Sequence, residues 1–190
     1  MIKLNKIHEK NIYSFELPYE IILEFNEWHQ ACNNIKNHPL SYLKSHDNSG
    51  TENNGYQISV PKNLVEKSFW LPMVLRSCSK VYGGNHRDYF LRKWDGHFDF
   101  YDVWLNYSYK GNKQTYHTHS GSVSGVIYLK NNDEQPTVFK DINFNYSGKS
   151  GEMIMFPSEL GHEVLEKTTE GERITIAFNI IKRGIYDAKP

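Results

Sequence analysis

From residue 98 onward the chain breaks into short apolar and aromatic runs, each followed by residues that favour turns. The runs lie at 98–109, 116–119, 122–129, 137–140, 152–156, 163–165 and 172–181, with turns at 110–113, 131–136, 146–151 and 168–171. Short strands at close, regular spacing close into a sandwich, a barrel or a jelly roll. The aromatic content of 14% fits this, because rings and β-branched side chains suit a pleated, half-buried surface.

The first half reads differently. Residues 12–17 form a candidate strand, and Pro18 then precedes a helical stretch over 19–34. In that stretch Ile22, Phe25, Trp28, His29 and Cys32 recur at helical spacing. Residues 45–55, rich in Asn, Ser and Gly, read as a loop. A second helical region starts with Asn63 as N-cap and runs to about Tyr82. Pro72 is expected to kink or split it, and Gly83-Gly84 to end it. The expected architecture is α+β. One domain spans 1–190, with a helical N-terminal layer at about 1–97 covering one face of a β core at about 98–182.

Charge excludes some functions. Basic and acidic residues balance at 22 each, which gives no overall electrostatic grip on nucleic acid or on an anionic membrane. The chain shows no signal-peptide pattern and no apolar span of membrane length, so a cytoplasmic location is expected. Cys32 and Cys78 stand in no metal or redox spacing and read as buried, reduced thiols. Arginine is scarce, with Arg76, Arg87, Arg92, Arg173 and Arg183 the five in the chain, so the place of each carries information.

Candidate chemistry begins at Tyr116-His117-Thr118-His119. On a strand, residues i and i+2 share a face, so His117 and His119 could share a metal ion. His162 follows 45 residues after His117, and Arg173 comes 11 residues later. Arg173 and Thr175 are again i and i+2. Imidazole nitrogens suit iron, zinc and copper. Three protein ligands on one side of an octahedral ion leave room for a bidentate 2-oxo acid and for dioxygen. A guanidinium matches a carboxylate in shape, and the Thr175 hydroxyl adds a donor.

Two groups of residues then carry a resemblance. The first is Trp104-Leu105-Asn106, Gly111, His117-Thr118-His119 and Ser124-Gly125-Val126-Ile127-Tyr128-Leu129. The second is Phe156-Pro157-Ser158, His162, Glu172-Arg173-Ile174-Thr175 and Ala177-Phe178-Asn179. In this order they resemble the 2-oxoglutarate/Fe(II) oxygenases of phages and marine bacteria, distant relatives of the prolyl hydroxylases. The resemblance covers residues 104–180 and implies a double-stranded β-helix (jelly-roll) core with iron near one open end. It implies His117 and His162 as ligands on two different strands, and Arg173 with Thr175 as the anchor for the distal carboxylate of 2-oxoglutarate. It also puts Tyr128 and Asn106 where they could touch that cosubstrate.

The wider superfamily carries His-x-Asp or His-x-Glu at the first motif, and here His119 takes the carboxylate's place. The reading is therefore Fe(II) held by His117, His119 and His162. Decarboxylation of 2-oxoglutarate to succinate would be coupled to oxidation, usually hydroxylation, of a small-molecule or peptidyl substrate by dioxygen. Residues 45–55 and 141–151 would shape the substrate pocket, and Asp95 and His97 could border its entrance. Two alternatives stay open. One is a cupin-like three-histidine dioxygenase or isomerase that needs no oxo acid. The other is a non-catalytic jelly-roll binding module.

Overall fold

The computed structural model describes residues 4–36, 51–52, 56–83, 98–132 and 135–182. The fold is mostly β-sheet with few helices. In chain order its elements are β1 (Leu4–His8), β2 (Ile12–Glu16), α1 (Tyr19–Lys36), β3 (Thr51–Glu52), β4 (Tyr56–Ser59), α2 (Lys62–Glu66) and α3 (Trp70–Tyr82). Then follow β5 (Phe98–Ser108), β6 (Lys113–His117), β7 (Val123–Lys130), β8 (Thr137–Phe139), β9 (Phe144–Tyr146), β10 (Glu152–Pro157), β11 (His162–Val164) and β12 (Arg173–Lys182). A short 3-10 turn at Lys140–Ile142 joins β8 to β9.

The strands form two sheets. The larger has seven strands in the order β1-β2-β10-β7-β12-β5-β4, and the smaller has five in the order β3-β6-β11-β8-β9. All pairings in both sheets are antiparallel.

Strand alternation decides what each face of the larger sheet does. Ile174, Ile176, Phe178 and Ile180 of β12 join one core cluster with Val103, Leu105 and Tyr107 of β5 and with Met153 and Met155 of β10. The same cluster takes in Phe25 and Trp28 of α1 and Trp70, Val74 and Cys78 of α3. The two longer helices therefore cover this face. The intervening residues point the other way. Tyr128, Ile154 and Phe156 gather there with Phe139 of the smaller sheet. Each large side chain buried in this way contributes roughly 1.5–3 kcal/mol.

The N-terminal half contributes more strand than its sequence suggests. β1, β2 and β4 extend the larger sheet, and β3, inside the segment read as a loop, pairs with β6. The second helical region breaks at residues 67–69 rather than at Pro72. Asn63 lies inside α2, whose N-cap is Pro61. Pro72 is the third residue of α3, in the first turn, where a missing N–H breaks no helical bond. Ser68 supplies the cap instead, its hydroxyl accepting from Leu71 N–H at 3.1 Å. Both cysteines are free and buried. Burial pushes the Cys32 thiol up to about 12.

Candidate active site

A cavity of about 170 Å³ lies between the two sheets. The smaller sheet supplies histidines to its wall, and the larger sheet supplies a guanidinium and a row of polar groups.

His117 ends β6 and His162 opens β11, and they are directly paired across the ladder. His119 lies beyond the end of β6, so the strand-face argument from i, i+2 spacing does not apply to it. Its backbone N–H donates to Ser158 O at 3.0 Å, and that bond turns the chain back toward the site. One nitrogen from each of the three rings falls within 4.8 Å of the others, a spacing that one ion could bridge. The ring centroids lie 4.8 Å apart for His117 and His119, 4.4 Å for His117 and His162, and 5.2 Å for His119 and His162.

The tautomers of two rings follow from chemistry. His117 Nδ1 lies 2.6 Å from Thr115 O, and His162 Nδ1 lies 3.1 Å from Leu160 O. A carbonyl only accepts, so both Nδ1 atoms carry the hydrogen. Each Nε2 is left with its lone pair, which is what a metal ion needs. Burial, and next the His117 ring, lower His119 to about 4. The same causes in the same order lower His162 to about 3. Both rings therefore stay neutral far below neutral pH.

On the larger sheet, Thr175 pairs with Asn106 of β5 on one side and with Tyr128 of β7 on the other. Asn106 Oδ1 accepts from Trp104 Nε1 at 3.1 Å and from Gln114 Nε2 at 3.2 Å. Asn106 Nδ2 donates to Thr175 Oγ1 at 3.3 Å. Arg173 stands two residues along the same face and is only 3% exposed. Among the described residues its Nε and Nη2 have no hydrogen-bond partner. Nearby acids are engaged elsewhere, Glu170 with Lys110 and Glu172 with Lys130 and Tyr109. Burial pulls the Arg173 pKa down, only partly offset by Tyr128. A buried cation with orphaned donors is costly unless an anion meets it, and a carboxylate has the matching shape.

Arg173, Thr175, Asn106 and the three histidines all line the cavity. Tyr128 stands behind Arg173, its ring 5.6 Å from the guanidinium carbon. Its hydroxyl is already bonded to Thr137 Oγ1 at 2.8 Å. Sequence reasoning missed Gln114 and gave Trp104 no role, although both line the cavity. The β6–β11 ladder pairs His162 with His117 and Val164 with Gln114, so two residues of β6, Thr115 and Tyr116, lie opposite one of β11, Glu163. This bulge sets Gln114 and His117 against one partner strand three residues apart, where simple alternation would oppose them. The 94–97 loop and most of 45–55 lie outside the described residues.

Residues 134–179, which include His162, Arg173 and Thr175, match the family model described as "Putative 2OG-Fe(II) oxygenase". The chain resembles the 2OG-Fe(II) oxygenases. Among curated proteins none matches by sequence. Solved structures share the fold. A viral collagen prolyl hydroxylase from Paramecium Bursaria Chlorella virus-1, in complex with 2OG, is similar at a TM-score of 0.61 and 16% identity, over 90% of this chain and 96% of that one. A prolyl-4-hydroxylase from Pseudomonas putida gives 0.57 and 14%, over 93% and 95%. A Burkholderia pseudomallei oxidoreductase of the 2OG-Fe(II) oxygenase family gives 0.60 and 13%, over 93% and 87%.

Proposed function

We propose that this protein is a non-haem Fe(II) dioxygenase that couples 2-oxoglutarate decarboxylation to hydroxylation of its substrate. One observation carries the reading: a buried guanidinium with orphaned nitrogens shares a cavity with three converging histidines. His117, His119 and His162 hold the iron. Arg173 takes the distal carboxylate of the oxo acid with its unpartnered nitrogens, and Thr175 adds a hydroxyl donor. Asn106 orients Thr175, and Tyr128 supports Arg173 from behind. The iron, once bound, supplies the activation of dioxygen; the protein supplies binding, orientation and a partly closed pocket.

The fold belongs with this reading as a double-stranded β-helix. The two facing sheets are its halves, and α1 and α3 back the larger one. The whole of 1–190 then works as one cytoplasmic domain, with the core at about 98–182 behind an N-terminal layer at about 1–97 that also lends strands. The solved neighbours named as prolyl hydroxylases favour a peptidyl substrate. Among the described residues, no helix is long and apolar enough to cross a membrane.

Anaerobic addition of Fe(II) and then 2-oxoglutarate tests the assignment. Chelation of the iron by the oxo acid is expected to give a weak visible charge-transfer band that is lost in His162→Ala and in Arg173→Ala. Tight iron binding without a band would favour the three-histidine dioxygenase that needs no oxo acid. Failure to bind any metal would leave a binding module.

A further inference from the structure

The polar row on the larger sheet has a direction, and chemistry fixes it. An indole N–H can only donate. Trp104 Nε1 lies 3.1 Å from the Asn106 side chain, so the amide oxygen must face it. Gln114 Nε2 reaches the same oxygen at 3.2 Å. The Asn106 amide nitrogen is thereby turned toward Thr175 Oγ1, 3.3 Å away, and donates to it. Thr175 has one hydroxyl hydrogen, and among the described residues its Oγ1 meets Asn106 only as an acceptor, which leaves that hydrogen to be placed. Thr175 lines the cavity wall and is 1% exposed. It is left to donate into the cavity, beside a guanidinium that can do nothing but donate. With the Asn106 amide reversed, its oxygen would take the Thr175 hydrogen. Hydroxyl lone pairs would then face the incoming group.

We propose that Trp104 is a positioning residue that sets oxo-acid specificity: acting through Asn106, it points the Thr175 hydroxyl into the cavity. Arg173 and Thr175 then both present donors at this end of the cavity, which selects an oxo acid whose far end is ionised over one whose far end is neutral. The proposal rests on the oxygenase reading and adds to it a residue that need not touch the oxo acid.

The test compares two ligands of equal chain length on anaerobic, Fe(II)-loaded protein by calorimetry. One is 2-oxoglutarate. The other is 2-oxovalerate, in which a methyl group replaces the far carboxylate. Wild type is expected to prefer 2-oxoglutarate by on the order of 100-fold or more, since bonds from charged and neutral donors are lost together with the carboxylate. Thr175→Val should weaken 2-oxoglutarate roughly 10-fold and Trp104→Phe roughly 5-fold, with 2-oxovalerate unchanged by either. Adding Trp104→Phe to Thr175→Val should cause no further loss, because the indole has nothing left to direct.

The proposal is overturned if Trp104→Phe weakens both ligands alike, or if its effect is the same with and without Thr175. The indole would then act by packing against His119, whose ring lies 5.6 Å away. If wild type shows no preference between the two ligands, the oxygenase reading itself fails, and that result is distinct from either of these. Should Trp104→Phe lack a cooperative thermal transition, Asn106→Leu takes its place in the same cycle with the same expectations.

Discussion

In the seven-stranded sheet, β12 is hydrogen-bonded along both edges and is buried without a break from Arg173 to Ile180. In the five-stranded sheet, β6 is five residues long with no residue fully buried, and β11 is three residues long. The first sheet carries the groups assigned to the oxo acid, and the second carries the groups assigned to the metal. The anchor for an organic anion is thus fixed by the core before any ligand arrives. Two of the metal ligands sit on short strands and the third just beyond one of them, and the ion itself would help to hold these segments together. Rigid pre-organisation suits a recognition site built of hydrogen bonds, whereas a metal centre supplies part of its own cohesion.

The sharpest way to break this contrast is Arg173→Met. Binding of 2-oxoglutarate should fall by more than about 100-fold, as expected when a charged partner is removed. The thermal midpoint of the ligand-free protein should hold or rise, because an uncompensated buried charge has gone. A clear drop in midpoint would mean that Arg173 is satisfied internally.

Next comes one substitution made twice, in β7 of the larger sheet and immediately before β11 of the smaller. A methyl at Gly125 would run into the Phe178 ring and come within 2.8 Å of Ile154 O, so Gly125→Ala should destabilise by about 3 kcal/mol. A methyl at Gly161 would meet the end of the Tyr116 side chain, which is 45% exposed and can swing into solvent by giving up its exposed hydrogen bond to Asp141. Gly161→Ala should therefore cost less than about 1 kcal/mol. Urea unfolding of the pair measures the difference, and equal losses would remove the contrast.

Acid should act through the metal-side histidines. Their folded values lie below the ordinary 6.5, at about 4 for His119 and about 3 for His162. Depressed values mean that the folded protein resists protonation that the unfolded chain accepts. Stability of the metal-free protein is then full above pH 6.5 and declines as pH falls from there toward 4 and below. We expect a loss of a few kcal/mol across this window, reduced by about half in His162→Phe because His119 still contributes. An unchanged pH profile in that variant would count against these rings as its source. The smallest effect is local. Added Fe(II) should slow amide hydrogen exchange in β6 and β11 and leave β12 unchanged. Uniform slowing across both sheets would show that they respond as one body.

The larger sheet was also the more legible in sequence. Residues 173–180 alternate between the set Arg173, Thr175, Ala177, Asn179 and the large apolar set Ile174, Ile176, Phe178, Ile180, and that pattern places Arg173 and Thr175 on one face and the large apolar residues on the other. Spacing also singled out His117, His119 and His162, and the resemblance to oxygenases implied that His117 and His162 lie on two different strands. The smaller sheet was harder to read because its geometry departs from simple alternation. The bulge in β6 brings in Gln114, and a backbone bond from His119 to Ser158 O does what a strand face was expected to do. β1 alternates poorly and is half exposed, so its residues give no periodic signal. β3, at two residues, is too short for one. Tyr128 was expected at the cosubstrate, yet only tertiary packing reveals the guanidinium in front of it.

His117 and His162 face each other across a ladder although 45 residues of chain separate them. An ion held by both would act as a removable clasp between distant points of the chain, available to the folded form alone. Molecules that carry it should open less often and survive longer among proteases than those that do not. We expect limited proteolysis to spare the iron-loaded fraction. Scarcity of the metal would then thin the population of this protein rather than leave it intact and idle.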